Sequence, residues 1–174
     1  MDFDFLAATA EPVQGSSGPA LVPTRTFGSI QPEEKFDVIL VPGGITSRPE
    51  HAQTELLKFL RDFAPKAKYV LSVCTGSELL ARAGWLDGKK ATTNKSLYKV
   101  ITADYPKTNW VPRARWVVDG NTWTASGVTA GADMGYAFLS HLVGKEFAEM
   151  VRGIVELSVH KEDDDEFADV YGLV

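Results

Sequence analysis

One cysteine, Cys74, carries all the thiol chemistry of these 174 residues, so no disulfide can close within the chain. No apolar run approaches the roughly 18–20 residues that cross a bilayer. The opening Met1-Asp2-Phe3-Asp4 lacks the basic start of a secretory signal. These absences predict a cytoplasmic protein. Positive charge is also short: 18 Lys and Arg against 23 Asp and Glu leave a net charge of -5 and a pI near 5.2. That balance argues against nucleic acid or an anionic membrane as the main partner, since both demand a basic face. The three histidines, His51, His141 and His160, are scattered, and no metal-ligand cluster or phosphate-binding glycine loop occurs. No metal and no cofactor is expected.

At 44% hydrophobic and 24% charged, the chain can form one globular domain over residues 1–174. Its acidic C-terminal tail covers about 160–174, and the run Glu162-Asp163-Asp164-Asp165-Glu166 reads as a solvated face. The order of elements is that of an α/β protein. Asp2–Leu6 is a weak strand, followed by a Gly/Ser/Pro-rich loop through Gly18 and an extended stretch from Ala20 to Phe27. Phe36–Val41 is a continuous apolar strand of the type buried in a parallel sheet. Leu56, Leu57, Leu60 and Phe63 recur at helical spacing within 50–63, predicting a crossover helix before the strand Tyr69–Val73. Further helices are predicted over 77–83 and 96–103. Asp119-Gly120 predicts a hairpin between Arg115–Val118 and Asn121–Ala125. A helix carrying Met134, Phe138 and Leu142 follows, then an amphipathic one with Phe147, Met150, Val151, Ile154 and Val155.

Cys74 sits where the strand Tyr69–Val73 meets the helix start Thr75-Gly76-Ser77-Glu78. A tight strand-to-helix turn projects its side chain outward. The helix's free N–H groups and dipole there favour the thiolate. Free cysteines are often merely buried, but this context makes Cys74 the candidate nucleophile. Gly43 and Gly44, directly after a predicted parallel strand, read either as an ordinary turn or as a close backbone approach to a ligand.

Five blocks in order, Asp37–Gly44, Ser72–Ser77, Gly88–Thr93, Asp119–Asn121 and Gly127–Asp133, resemble the ThiJ/PfpI superfamily. Within it, Val-Cys-Thr-Gly-Ser, Ala-Thr-Thr and Thr-Ala-Gly-Ala-Asp are most similar to isocyanide hydratase and its relatives, which include amidase-like domains of some transcription regulators. The resemblance spans roughly residues 2 to 155. It implies a class I glutamine amidotransferase-like fold: a flavodoxin-like three-layer sandwich with a mostly parallel central sheet and a small β-hairpin. It also implies Cys74 as nucleophile, an oxyanion-type pocket from the backbone N–H groups of Gly44 and Thr75 with Gly43 beside them, a small-molecule substrate and a homodimer. Asp133 and Val128, in the last block, are secondary candidates.

Other residues carry less. Thr75 stands where peptidase-like members place a histidine, so a Cys-His protease is not expected, and no glutaminase His-x-Glu occurs. His141 reads as a core or partly buried helix histidine. Asp133 reads as a first-turn acid complementing a helix dipole. Trp85, Trp110, Trp116 and Trp123 read as packing residues. One departure stands out. Relatives begin with an additional strand and a loop bearing an Asp or Glu that reaches the catalytic sulfur, and no residue here matches that acid. The expected reading is a cysteine-dependent hydratase or hydrolase of a small electrophile, slowed by the lack of that acid. The alternative is a non-catalytic or redox-responsive member with a reactive cysteine. The missing strand is expected to leave a gap in the sheet, closed by the chain's own strands, by a partner, or not at all.

Overall fold

The computed structural model describes residues 2–15, 18–51 and 53–174. The chain opens with four two-residue strands, β1 (Leu6–Ala7), β2 (Val13–Gln14), β3 (Ala20–Leu21) and β4 (Arg25–Thr26). β1 pairs with β4 in parallel and β2 with β3 antiparallel. Then come β5 (Val38–Val41), α1 (Thr54–Phe63), β6 (Tyr69–Val73), α2 (Gly76–Arg82), β7 (Lys90–Ala91), α3 (Tyr98–Asp104) and β8 (Asn109–Trp110). β9 (Trp116–Asp119), β10 (Thr122–Ala125), α4 (Val128–Val143), α5 (Lys145–Ile154) and α6 (Phe167–Val170) complete the order. The predicted crossover helix begins at Thr54. Ala52, within the expected span, and Ser16 and Ser17 of the expected loop lie outside the described residues.

The central sheet runs β5-β6-β10-β9, with β5, β6 and β10 parallel and β9 antiparallel to β10 through the Asp119-Gly120 hairpin. Successive side chains point to opposite faces of a strand. Val70 therefore joins Ile39, Val41, Leu60, Phe63, Leu79 and Leu80 in one core layer. Its neighbour Leu71 joins Trp123, Ala125, Met134 and Phe138 in the other. Helices α1 and α2 cover one face and α4 the other, giving the three-layer, flavodoxin-like arrangement expected. Trp116 and Trp123 are buried in the second layer, as read.

Among the described residues no other strand pairs with the outer side of β5: β1 joins β4 and leaves β5 as the sheet edge, the case in which the chain's own strands do not close the gap. Three expectations need correction. The C-terminal acidic run is not a solvated face throughout. Asp165 is 2% exposed, takes the Ala114 N–H on Oδ2 at 3.1 Å and pairs with buried Lys95 at 3.2 Å. Arg115 N–H donates to Glu162 O at 2.7 Å and Arg113 pairs with Asp169, so residues 162–170 are docked on the domain. His141 is exposed rather than buried, its Nε2 3.0 Å from the Tyr69 hydroxyl. Asp133 lies beyond the first turn of α4, which begins at Val128.

Candidate active site

The end of β6 meets the start of α2 at Cys74, whose φ is +58°. A side chain in this left-handed region is strained by contact between Cβ and the following carbonyl. The surrounding hydrogen bonds hold it there. Cys74 N–H donates to Ala125 O at 3.0 Å, while Cys74 O accepts from Ser77 Oγ at 3.0 Å and Thr93 Oγ1 at 3.4 Å. Strand β10, helix α2 and the Thr92-Thr93 segment thus fix one half-buried cysteine.

Two glycines let the neighbouring chain come close. A Cβ on Gly43 would fall 2.5 Å from Thr75 N and 2.6 Å from Thr75 Oγ1, and one on Gly76 would fall 2.0 Å from Val41 O. The Pro42-Gly43-Gly44 turn therefore lies directly against the cysteine turn, which favours the close-approach reading of these glycines. Gly44 is extended and open to solvent.

The two expected backbone donors differ. Gly44 N–H already donates to Thr75 Oγ1 at 3.0 Å, so it is engaged. Thr75 N–H makes no hydrogen bond among the described residues. Thr75 Oγ1 also lies 3.1 Å from Ser47 Oγ and 3.2 Å from Gly44 O, tying α2 to the turn after β5. Glu78, 0% exposed, accepts from Arg48 at 2.8 Å, and Arg82 donates to the carbonyls of Ser47, Arg48 and His51. Burial pushes the Glu78 carboxyl above its ordinary range, and Arg48 pulls it only partway back.

Thr75, Glu78 and Arg82 thus bind one loop, residues 44–51, and only Thr75 was singled out from the sequence. A signal was present: Thr75-Gly76-Ser77-Glu78 has the spacing of a capping box, in which the first side chain bonds the fourth amide and the acid reaches back to the first. The box is not formed. Glu78 N–H donates to Thr75 O at 3.0 Å, and neither side chain caps the helix.

The secondary candidates lie on α4, whose Gly131 packs against Val73 just before Cys74. Asp133 is buried, with Oδ2 accepting from Arg115 Nε at 2.7 Å and Oδ1 from His160 N–H at 3.0 Å. Both oxygens therefore serve the packing of β9 and the C-terminal segment against α4. Val128 is 80% exposed at the start of α4. Two surface hollows of about 510 Å³ each occur, one lined by Val159–Lys161 with Asp163 and Asp164, the other including Phe27, Phe59, Phe63 and Lys66. Neither is lined by Cys74, Gly43, Gly44 or Thr75. Among the described residues no group of His, Cys, Asp and Glu is arranged to hold a metal. No helix there is long and apolar enough to cross a membrane.

Comparison with known proteins bears on the family and the fold. The model of the DJ-1/PfpI family matches residues 1–141. Isonitrile hydratase of Pseudomonas putida is 40% identical over 142 residues, covering 81% of this chain and 59% of that protein. A deglycase of Pyrococcus horikoshii is 32% identical over 133 residues, covering 75% of this chain and 74% of its own. The crystal structure of a ThiJ/PfpI family protein from Pseudomonas syringae superposes with a TM-score of 0.79 at 34% identity, over 91% of this chain and 64% of that one. The chain thus spans about three fifths of the hydratase it resembles.

Proposed function

The chain belongs to the DJ-1/PfpI family, and from that premise we propose that Cys74 is the nucleophile of a hydratase or hydrolase acting on a small electrophilic carbon, with an isocyanide as substrate. The observation that carries this reading is the strained, three-sided fixation of Cys74 beside an unoccupied Thr75 amide. Identity to isonitrile hydratase supports the substrate class.

In the reaction, sulfur adds to the terminal isocyanide carbon, and that carbon takes one proton. Water then adds to the same carbon while the nitrogen takes a proton, the new hydroxyl gives up its proton, the C–S bond breaks, and sulfur leaves as thiolate. The product is an N-substituted formamide. One water is consumed and nothing is oxidised or reduced. As the tetrahedral intermediate collapses, its hydroxyl oxygen loses its proton and carries negative charge while the C–S bond breaks, and the Thr75 N–H is the free donor beside Cys74 to meet it.

The buried acids near these elements are engaged, Glu78 by Arg48 and Asp133 by Arg115. With those two acids engaged and water as the proton carrier, turnover is slow, since a positioned acid or base contributes about 10²–10⁴-fold. The same observation favours the second reading, a reactive-cysteine protein without turnover. Disappearance of an aryl isocyanide, followed with the wild-type chain and with Cys74→Ala, separates the two. Slow hydration that Cys74→Ala abolishes supports the enzyme. No Cys74-dependent hydration, with the thiol still alkylated by iodoacetamide, supports the alternative.

The reading extends to a cytoplasmic homodimer without cofactor. The side of α5 bearing Phe147, Met150 and Ile154 is exposed, and this supports a second copy as its cover. A monomer mass by light scattering at micromolar concentration would refute the dimer.

A further inference from the structure

The unformed capping box between Thr75 and Glu78 is unexpected in energetic terms. Closing such a box satisfies two otherwise orphaned amides and stabilises a helix start. Here the pattern is present, yet Thr75 N–H has no acceptor among the described residues and Glu78 is turned to Arg48. The arrangement leaves a defect: Glu78 Oε2 is buried without a partner. A carboxylate buried with half its acceptors empty is destabilising, and a hydrophobic residue of similar volume would serve packing as well or better. The pair Glu78–Arg48 therefore calls for an explanation other than stability.

Arg48 is placed to impose it. Its guanidinium bridges Glu78 Oε1 at 2.8 Å and Asp104 Oδ2 of α3 at 3.4 Å. Its own carbonyl and that of Ser47 accept from Arg82. The Thr75 side chain is likewise withdrawn from the helix start, toward Gly44 and Ser47. Both potential capping side chains are thus drawn onto the 44–51 loop, and the amide that follows the nucleophile stays open.

We propose that Arg48 is a positioning residue which, by holding Glu78, prevents it from closing the capping box and so keeps the Thr75 N–H free for the oxygen that becomes negative during turnover. This rests on the hydration reading above. Removing Arg48 releases Glu78 to bond the Thr75 amide, blocking the donor from within the protein. Removing Glu78 as well eliminates the competitor and reopens it.

The test is kinetic and spectroscopic, on the full chain. Arg48→Met should lower kcat by about a hundredfold, the lower range for losing one oxyanion donor, with KM little changed. It should also slow hydrogen exchange at the Thr75 amide at least about tenfold, since that amide gains an acceptor. The double variant Arg48→Met/Glu78→Met should return kcat to within about tenfold of wild type and restore fast Thr75 exchange. Arg48→Lys, which keeps a cation beside Glu78, should lie near wild type. A double variant as slow as Arg48→Met, or Thr75 exchange unaltered in Arg48→Met, overturns the proposal, because a purely structural role for the loop would give no rescue. If no variant hydrates an isocyanide, including wild type, the functional reading fails, while the Thr75 exchange rates still decide what Arg48 does.

Discussion

Gly76 faces the carbonyl of Val41 so closely that a Cβ at Gly76 would fall 2.0 Å from Val41 O, nearer than any non-bonded contact tolerates. The obstacle is backbone in the central sheet, which cannot rotate aside. Gly76→Ala should therefore separate β5 from the start of α2 and lower stability by at least about 3 kcal/mol, the upper range for overpacking, as read from urea unfolding. Gly43→Ala meets Thr75 N and Oγ1 at 2.5 and 2.6 Å instead. It displaces an open turn, so the chain should fold with a smaller loss while Cys74-dependent hydration falls. Wild-type stability in Gly76→Ala would refute the close approach.

Much of this was legible because it is local. Val38–Val41 and Tyr69–Val73 are continuous apolar strands, the Asp119-Gly120 turn marks its hairpin, and Gly43-Gly44 beside the strand-Cys74-Thr75-Gly76 turn announce a tight junction. What escaped depends on long-range pairing. Burial of Glu78, Lys95 and Asp165 follows from partners on other elements, Arg48 for the first and each other for the rest. A charged residue is read as exposed by default, since unpaired burial is expensive. The Phe147, Met150 and Ile154 pattern marked an amphipathic α5 with more apolar face than one sheet needs, and that side is exposed.

The left-handed backbone at Cys74 predicts a separation of stability from function. Glycine reaches φ +58° without strain, whereas alanine does not. Cys74→Gly should thus be more stable than Cys74→Ala by about 1 kcal/mol, the lower range of the left-handed penalty, although both lack the thiol and neither should hydrate an isocyanide. Paired urea titrations measure the difference. Equal midpoints would show that the turn relaxes once sulfur is gone.

Glu78 gives stability a defined pH dependence. Its folded pKa lies above the unfolded value of about 4.3, because burial outweighs the attraction of Arg48. Between the two values the folded state binds more protons than the unfolded one, so this contribution is fully present below the unfolded pKa and is lost as pH rises through the folded pKa. Glu78→Gln cannot ionise and should remove this slope. The stability of Glu78→Gln relative to wild type should therefore increase between pH 4.5 and neutrality, in the acid-to-neutral window where the carboxyl titrates. Urea midpoints of the two proteins across that range provide the check, and parallel curves would contradict it.

Lys95 and Asp165 test whether the C-terminal segment is part of the folded unit. Lys95 Nζ lies 2.7 Å from Thr92 Oγ1 and 3.2 Å from Asp165 Oδ2, with both charged side chains almost wholly buried. Burial lowers the Lys95 pKa and Asp165 opposes that effect. Lys95→Met leaves Asp165, whose Oδ1 already lacks a partner, as an uncompensated buried charge. Breaking such a pair from one side is destabilising by about 3–5 kcal/mol, whereas replacing both partners with apolar residues of similar volume is often neutral. Lys95→Met should accordingly lose several degrees in thermal melting and expose residues 162–170 to proteolysis. Lys95→Met/Asp165→Leu should recover most of the melting temperature, although Ala114 N–H then loses its acceptor. Because Thr92 accepts from Lys95 and neighbouring Thr93 bonds Cys74 O, the single variant should also slow alkylation of Cys74. Unchanged proteolysis and alkylation in Lys95→Met would show that the acidic segment is held by its other contacts, with Arg113 and Arg115, and that the buried pair does not reach the nucleophile.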